Sequence, residues 1–119
     1  MQWIKQRLSG ILGRDAERLA RQYLEEQGLS YIQANYRCKV GEIDLIMRDQ
    51  QELVFVEVKY RTRQSHGAAA EYFNRHKRRK FESALHHYLI ANQLNPANIA
   101  HRIDLVAIDG QHIQWIKYI

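Results

Sequence analysis

Gly41-Glu42-Ile43-Asp44-Leu45-Ile46 and, just beyond it, Leu53-Val54-Phe55-Val56-Glu57-Val58-Lys59-Tyr60 are the stretch whose reading decides the fold. Both lie in runs rich in β-branched and aromatic residues, Glu42 to Arg48 and Leu53 to Tyr60, the composition of strands. The polar segment Asp49-Gln50-Gln51-Glu52 between them is short enough for an antiparallel hairpin. Side chains alternate across a sheet with period two. Glu57 and Lys59 therefore share a face with Leu53 and Phe55, while Val54, Val56 and Val58 line the other. The same rule puts Glu42 and Asp44 on one face of the neighbouring strand. A strand apolar on both faces is expected at the centre of its sheet, covered on both sides.

Outward from this hairpin the remaining elements follow. Asp15 can cap a helix from Ala16 to about Gln27, ended by Gly28, with Ala16, Leu19, Ala20, Tyr23 and Leu24 as its apolar stripe. Tyr31 to Tyr36 reads as a first strand. Between Arg61 and about Tyr72 periodicity is lost, and Arg61, Arg63, Ser65, His66 and Gly67 suggest a mobile basic loop. A second helix is expected from Arg75 to Asn92, capped by Asn74, with a core face of Phe81, Ala84, Leu85, Tyr88 and Leu89. Asn95-Pro96 breaks the chain before a strand from Arg102 to Ile108. Asp109-Gly110 then turns it into a last strand, His112 to Tyr118. The order is α-β-β-β-α-β-β, an α/β class with a mixed sheet flanked by helices.

With 119 residues the chain is long enough for one core and not two, so residues 1–119 read as a single domain. Residues 1–13 read as a loosely packed N-terminal arm: Trp3, Ile4, Leu8, Ile11 and Leu12 have helical spacing, but Gly10 and Gly13 interrupt them. The segment lacks the apolar core of a signal peptide, and no run is long enough to span a membrane. Cys38 is a lone cysteine, which excludes an internal disulfide and suits a reducing, cytoplasmic setting. Lys and Arg exceed Asp and Glu by 18 to 13, a formal +5, which favours a polyanionic partner without identifying one.

The chemistry concentrates on the two central strands. Asp44 on one, with Glu57 and Lys59 on the next, would set two carboxylates and an ammonium on one sheet face. That is equipment for holding a hard divalent cation and a water beside a negatively charged substrate, as metal-dependent phosphodiester hydrolysis requires. A plain Glu-Lys ion pair is the competing reading, and the neighbouring Asp44 argues against it. Glu17 lies at the edge of the first helix's apolar stripe; it can point toward the sheet or pair with Arg21 at i,i+4. The run Arg75-His76-Lys77-Arg78-Arg79-Lys80 opens the second helix, where cations oppose the macrodipole unless an anion docks among them. The histidines show no metal-ligand spacing.

With Gly41-Glu42-Ile43-Asp44-Leu45-Ile46, Phe55-Val56-Glu57-Val58-Lys59-x-Arg61 and Arg102-x-Asp104-Leu105-Val106, the chain resembles the YraN family of small, largely uncharacterised bacterial proteins, from about Gly13 to Ile108. The resemblance implies a PD-(D/E)XK, restriction-endonuclease-like core of the kind that archaeal Holliday-junction resolvases also have. It implies metal ligation by Asp44, Glu57 and the Val58 carbonyl, with Mg²⁺ or Mn²⁺ as the ion. Lys59 would orient or help deprotonate the attacking water. Glu17, in the family's first-helix pattern, would hold that water or a second ion. Lys77 matches a lysine at the start of the second helix, and Arg102 and Asp104 match a late Arg-x-Asp of unassigned role, as Glu42 is. Ala16, Tyr60 and Phe73-Asn74 depart from the family's usual residues without removing a candidate ligand.

Two main readings follow, with a third behind them. One is a metal-dependent endonuclease gripping nucleic acid, DNA in preference to RNA, through Arg61, Arg63, Lys77, Arg78 and Arg79. The other is a non-catalytic nucleic-acid-binding module on the same scaffold. A third, a protein-interaction subunit whose basic helix meets an acidic partner, follows less directly. Cutting a two-fold junction would require a homodimer.

Overall fold

The computed structural model describes residues 13–61, 75–109 and 112–119. Residues 1–12 of the expected N-terminal arm, the basic loop after Arg61 with Arg63, the Asn74 cap and the Gly110 turn lie outside the described residues, while Gly13, the last residue of that arm, opens the first helix. Seven elements run in the expected order: α1 (Gly13–Glu26), β1 (Ser30–Cys38), β2 (Gly41–Asp49), β3 (Glu52–Arg61), α2 (Arg75–Ala91), β4 (His101–Asp109) and β5 (His112–Ile116). No helix among the described residues is long and apolar enough to cross a membrane.

Helix α1 starts earlier than its apolar stripe suggests. Asp15 consequently lies inside the first turn rather than capping it, where a negative charge still suits the helix dipole. The expected stop at Gly28 holds. Leu29 N–H donates to Leu24 C=O at 3.0 Å and Gly28 N–H to Glu25 C=O at 3.0 Å, with Gly28 at φ 102°. This is the Schellman ending that a left-handed glycine permits. The two-residue turn after Asp49 joins β2 to β3 as an antiparallel hairpin, with Gln50 at φ 57°.

The five strands form one sheet in the order β1-β2-β3-β4-β5. All neighbours are antiparallel except β3 and β4, which are parallel and joined through α2. Strand β3 is thus central, as its two apolar faces require. On one face Ala16, Leu19, Ala20 and Leu24 of α1 pack on Leu45, Met47, Val54, Val56, Val106 and Ile108. On the other, Phe81, Ala84, Leu85, Tyr88 and Leu89 of α2 pack on Ile43, Ile46, Leu53, Phe55 and Ile103. Each large apolar side chain fully removed from water contributes about 1.5–3 kcal/mol, so these two layers hold the sheet between the helices.

Arg102 and Asp104 have a structural role on β4, from which Arg102 reaches the β2–β3 turn. Asp104 is fully buried and Arg102 nearly so. The Arg102 guanidinium donates to Asp104 at 3.0 Å, to Glu52 at 2.7 Å and to Asp49 at 3.1 Å. Trp115 Nε1 and the Tyr118 N–H donate to Asp104 at 2.9 and 3.1 Å. Burial works against the guanidinium's charge, but hydrogen bonds to Asp104, Glu52 and Asp49 outweigh it and raise its pKa. One cation thus ties the β2–β3 turn, β4 and the C-terminal segment together. Arg102→Met should cost about 3–5 kcal/mol, because it strands a buried carboxylate. Adding Asp104→Asn, which keeps an oxygen for Trp115, should restore much of that loss in urea denaturation. A double variant no more stable than Arg102→Met would show that packing, not charge, is what Arg102 contributes.

Candidate metal and phosphate site

The site opens where β2 leaves β3. Their ladder ends at Leu45↔Val56, while β2 stays paired with β1 on to Cys38↔Gly41. The next β3 donor on that edge, the Val58 N–H, bonds not to a strand but to Asp44 Oδ2 at 2.8 Å. Asp44 therefore reaches β3 edgewise, through its side chain. Strict alternation along β2 fails here: Ile43 and Ile46, three positions apart, pack in the same core on the α2 side. Gly41 begins this departure at a crowded place, since a Cβ there would lie 2.5 Å from the Lys80 carbonyl oxygen of α2.

Three carboxyls meet at this opening. Asp44 is in side-chain hydrogen-bond range of both Glu57, from β3, and Glu17, from α1. Glu17 is thus turned to the sheet, and the alternative pairing with Arg21 is absent: Arg21 bonds Glu25 at 3.3 Å and lies over the Tyr31 ring. Burial, then the charge of Glu57, pushes the Asp44 pKa up to about 7. Burial, then the charge of Asp44, does the same for Glu17, also to about 7. Burial raises Glu57 as well, opposed by hydrogen bonding to Asp44 and by the charges of Lys77 and Lys59. Burial is the largest cause for all three, so their charged forms are costly here unless a cation joins them.

Asp44 and Glu57 border an open groove of about 680 Å³ whose other lining includes Arg37, Lys39, Gly41, Glu42, His76, Lys77 and Lys80. The two carboxyls thus share the groove with cations from the β1–β2 hairpin and from the first turns of α2. Glu42 is exposed and paired with Arg37 at 3.2 Å. Of the basic run, His76, Lys77 and Lys80 line the groove. Arg78 instead pairs with Glu82 at 3.1 Å and borders a different hollow beside Arg102 and Tyr118. Arg79 is exposed, and the Arg61 side chain is outside the described set. Arg37 and Lys39 were not singled out from the sequence, and Lys80 was named only as part of the basic run. A two-residue hairpin turn flanked by cations was the available signal. Asn35 was missed too, although asparagine is uncommon inside strands.

The donor chemistry fits a hard divalent ion. Carboxylate and carbonyl oxygens are its preferred ligands, and Asp44 with Glu57, completed by the Val58 carbonyl, would supply them. Among the described residues, no group of three or more His, Cys, Asp or Glu is set to hold an ion as a ready cage. Mg²⁺ seldom needs one, since it keeps several waters and binds through one or two carboxylates plus substrate oxygens.

The raised acids have a consequence for stability. Unfolded, Asp44 and Glu17 titrate near pH 4; folded, near 7. Between those values the folded chain holds more protons than the unfolded one, so their contribution to stability falls as pH rises from about 4 to about 7. Asp44→Asn removes one such acid and keeps an oxygen for the Val58 N–H. The variant should therefore melt above wild type at pH 8, with the difference vanishing toward pH 4. Mg²⁺ or Mn²⁺ should raise the wild-type melting temperature more at pH 8 than at pH 5, because ligands must shed their protons. Scanning calorimetry at the three pH values checks both, and a variant that melts below wild type at pH 8 would contradict the first.

Comparison with known proteins agrees with the motif resemblance. The model of an uncharacterised protein family, UPF0102, matches residues 16–108. A UPF0102 protein of Aeromonas hydrophila is 45% identical over 105 residues, covering 88% of this chain and 81% of that protein. Those of Shewanella denitrificans and Saccharophagus degradans are 46% and 47% identical over 105 residues, covering 88% of this chain and 94% and 88% of theirs. The chain belongs to the UPF0102 family, the YraN family of the sequence motifs.

Proposed function

We propose that the protein binds nucleic acid in the groove above Asp44 and Glu57 and hydrolyses its phosphodiester bonds with a divalent metal ion. The observation that carries this reading is the charge layout: Asp44 and Glu57 line one groove together with cations from the β1–β2 hairpin and from α2. The α-β-β-β-α-β-β order, which is that of a restriction-endonuclease-like core, supports it. A polyanion could lie against Arg37, Lys39, Lys77 and Lys80 while one phosphate sits over the carboxyls. DNA is the substrate class we favour.

A bound Mg²⁺ or Mn²⁺ would supply Lewis acidity and a more acidic water. Asp44 and Glu57 would hold the ion through carboxylate oxygens, with the Val58 carbonyl completing the set. Lys59 follows Glu57 on the same strand face, and its Nζ would stabilise charge building on the non-bridging phosphate oxygens. Glu17, held near neutrality by burial and by Asp44, is suited to take a proton from the attacking water. Lys77 would fix the phosphate against the start of α2, where the helix dipole also favours an anion.

A panel of labelled single-stranded, flapped, nicked and junction DNAs, with RNA counterparts, incubated with Mg²⁺ or Mn²⁺, tests the reading. Wild type should cleave at least one DNA; Lys59→Ala and Asp44→Asn should lower the rate by about 10²–10³-fold while binding is kept. Lys77→Ala with Lys80→Ala should weaken binding to all sequences alike, since phosphate contacts carry no base information. Each lost contact should flatten the slope of log K against log salt by about 0.7–0.9. Arg78→Ala, whose partner is Glu82, should leave that slope unchanged. Salt-dependent binding with no cleavage in either metal would favour the non-catalytic module.

A further inference from the structure

We propose that Asn35 is a positioning residue: its left-handed backbone turns β1 and β2 over together and so delivers the Asp44 carboxylate into the opening between β2 and β3. Among the described residues, four non-glycine residues have positive φ. Gln50 lies in a hairpin turn, Gln93 just past α2, and Tyr118 beyond β5. Asn35, at φ 55°, is the one inside a strand. A left-handed residue there needs a cause, because a strand gains nothing locally from it.

The register supplies one. Ala34 pairs with Leu45, and Tyr36 with Ile43, which sets Asn35 opposite Asp44. Ala34 and Leu45 pack on the α1 side, whereas Tyr36 and Ile43 pack on the α2 side. Period-two alternation would have kept residues two apart on the same side. Both strands therefore change sides at one pair. The irregularity between Tyr31 and Gln33 is of another kind: Met47, Ile46 and Leu45 continue to alternate across it on β2. Only at Asn35–Asp44 does the ribbon itself roll over, and there Asp44 turns edgewise to take the Val58 N–H. Asparagine rather than glycine has a further use here, since its amide interacts with the Glu17 carboxyl and favours that group's charged form.

Two variants separate backbone from amide. Asn35→Gly and Asn35→Ala both remove the amide, but only glycine accepts the left-handed conformation freely. Hydrogen exchange of the Val58 amide reads the Asp44 contact directly, with Val54 and Val56 as internal controls on β3. The Gly variant should keep Val58 as slow as in wild type. The Ala variant should exchange Val58 faster while Val54 and Val56 stay slow, and should bind Mn²⁺ about tenfold more weakly, the ratio that a disfavoured left-handed alanine implies. Equal Val58 exchange in the two variants would overturn the proposal, as would uniformly faster exchange or unfolding in the Ala variant, which would mean a general loss of stability. Only the Mn²⁺ measurement rests on the nuclease reading. If wild type binds no Mn²⁺, that reading fails, and the Val58 comparison still decides the role of Asn35.

Discussion

The Val58 N–H lies in the central strand, on the edge that β2 has abandoned, and its acceptor is the Asp44 carboxylate. A buried donor left without an acceptor costs about 1–3 kcal/mol, so β2 can leave β3 only because a side chain replaces the ladder. That substitution fixes Asp44 edgewise, in the one place where a carboxyl from the α1 layer and another from the opposite sheet face can both reach it. The opening, the crowding of Glu17, Asp44 and Glu57, and the groove above them all depend on this bond.

Much of this was legible in the residues. Periodicity marked the core faces of both helices, and the double-sided apolar character of Leu53–Val58 placed β3 at the centre. Glu57 and Lys59 could be assigned to the face of Leu53 and Phe55 because β3 is regular; that this is the α2 side needed the structure. Asp44 was legible as a partner of Glu57 but not in its geometry, because alternation breaks at the very residue whose direction mattered. No local pattern announces such a roll; it needs the pairing of two strands to be seen. Glu17 was ambiguous for a related reason, since a residue at the edge of an apolar stripe can face either way until the opposing sheet is known. Arg78 shows the opposite failure: a run of cations reads as one surface, but a helix distributes it round its axis, and Glu82 one turn on draws Arg78 away from the groove.

The two acidic clusters are handled by opposite means. Between β4 and the β2–β3 turn, Asp104, Glu52 and Asp49 are gathered around the guanidinium of Arg102, and the chain supplies its own cation. At Asp44 burial and like charge lift the acids toward neutrality, with Lys59 and Lys77 acting on Glu57 at the margin. The first arrangement fastens the fold. The second leaves a local electrostatic conflict, and such conflicts tend to survive where a site must accept something from outside.

The missing Cβ of Gly41 lets the β1–β2 hairpin rest almost on the backbone of α2 at Lys80. Both residues also line the groove, so its two flanks brace one another at that point. Jaws already in backbone contact have no travel left with which to close. The recess is consequently shaped before anything enters it, little ordering entropy is lost on its side, and the work of conforming falls on the guest.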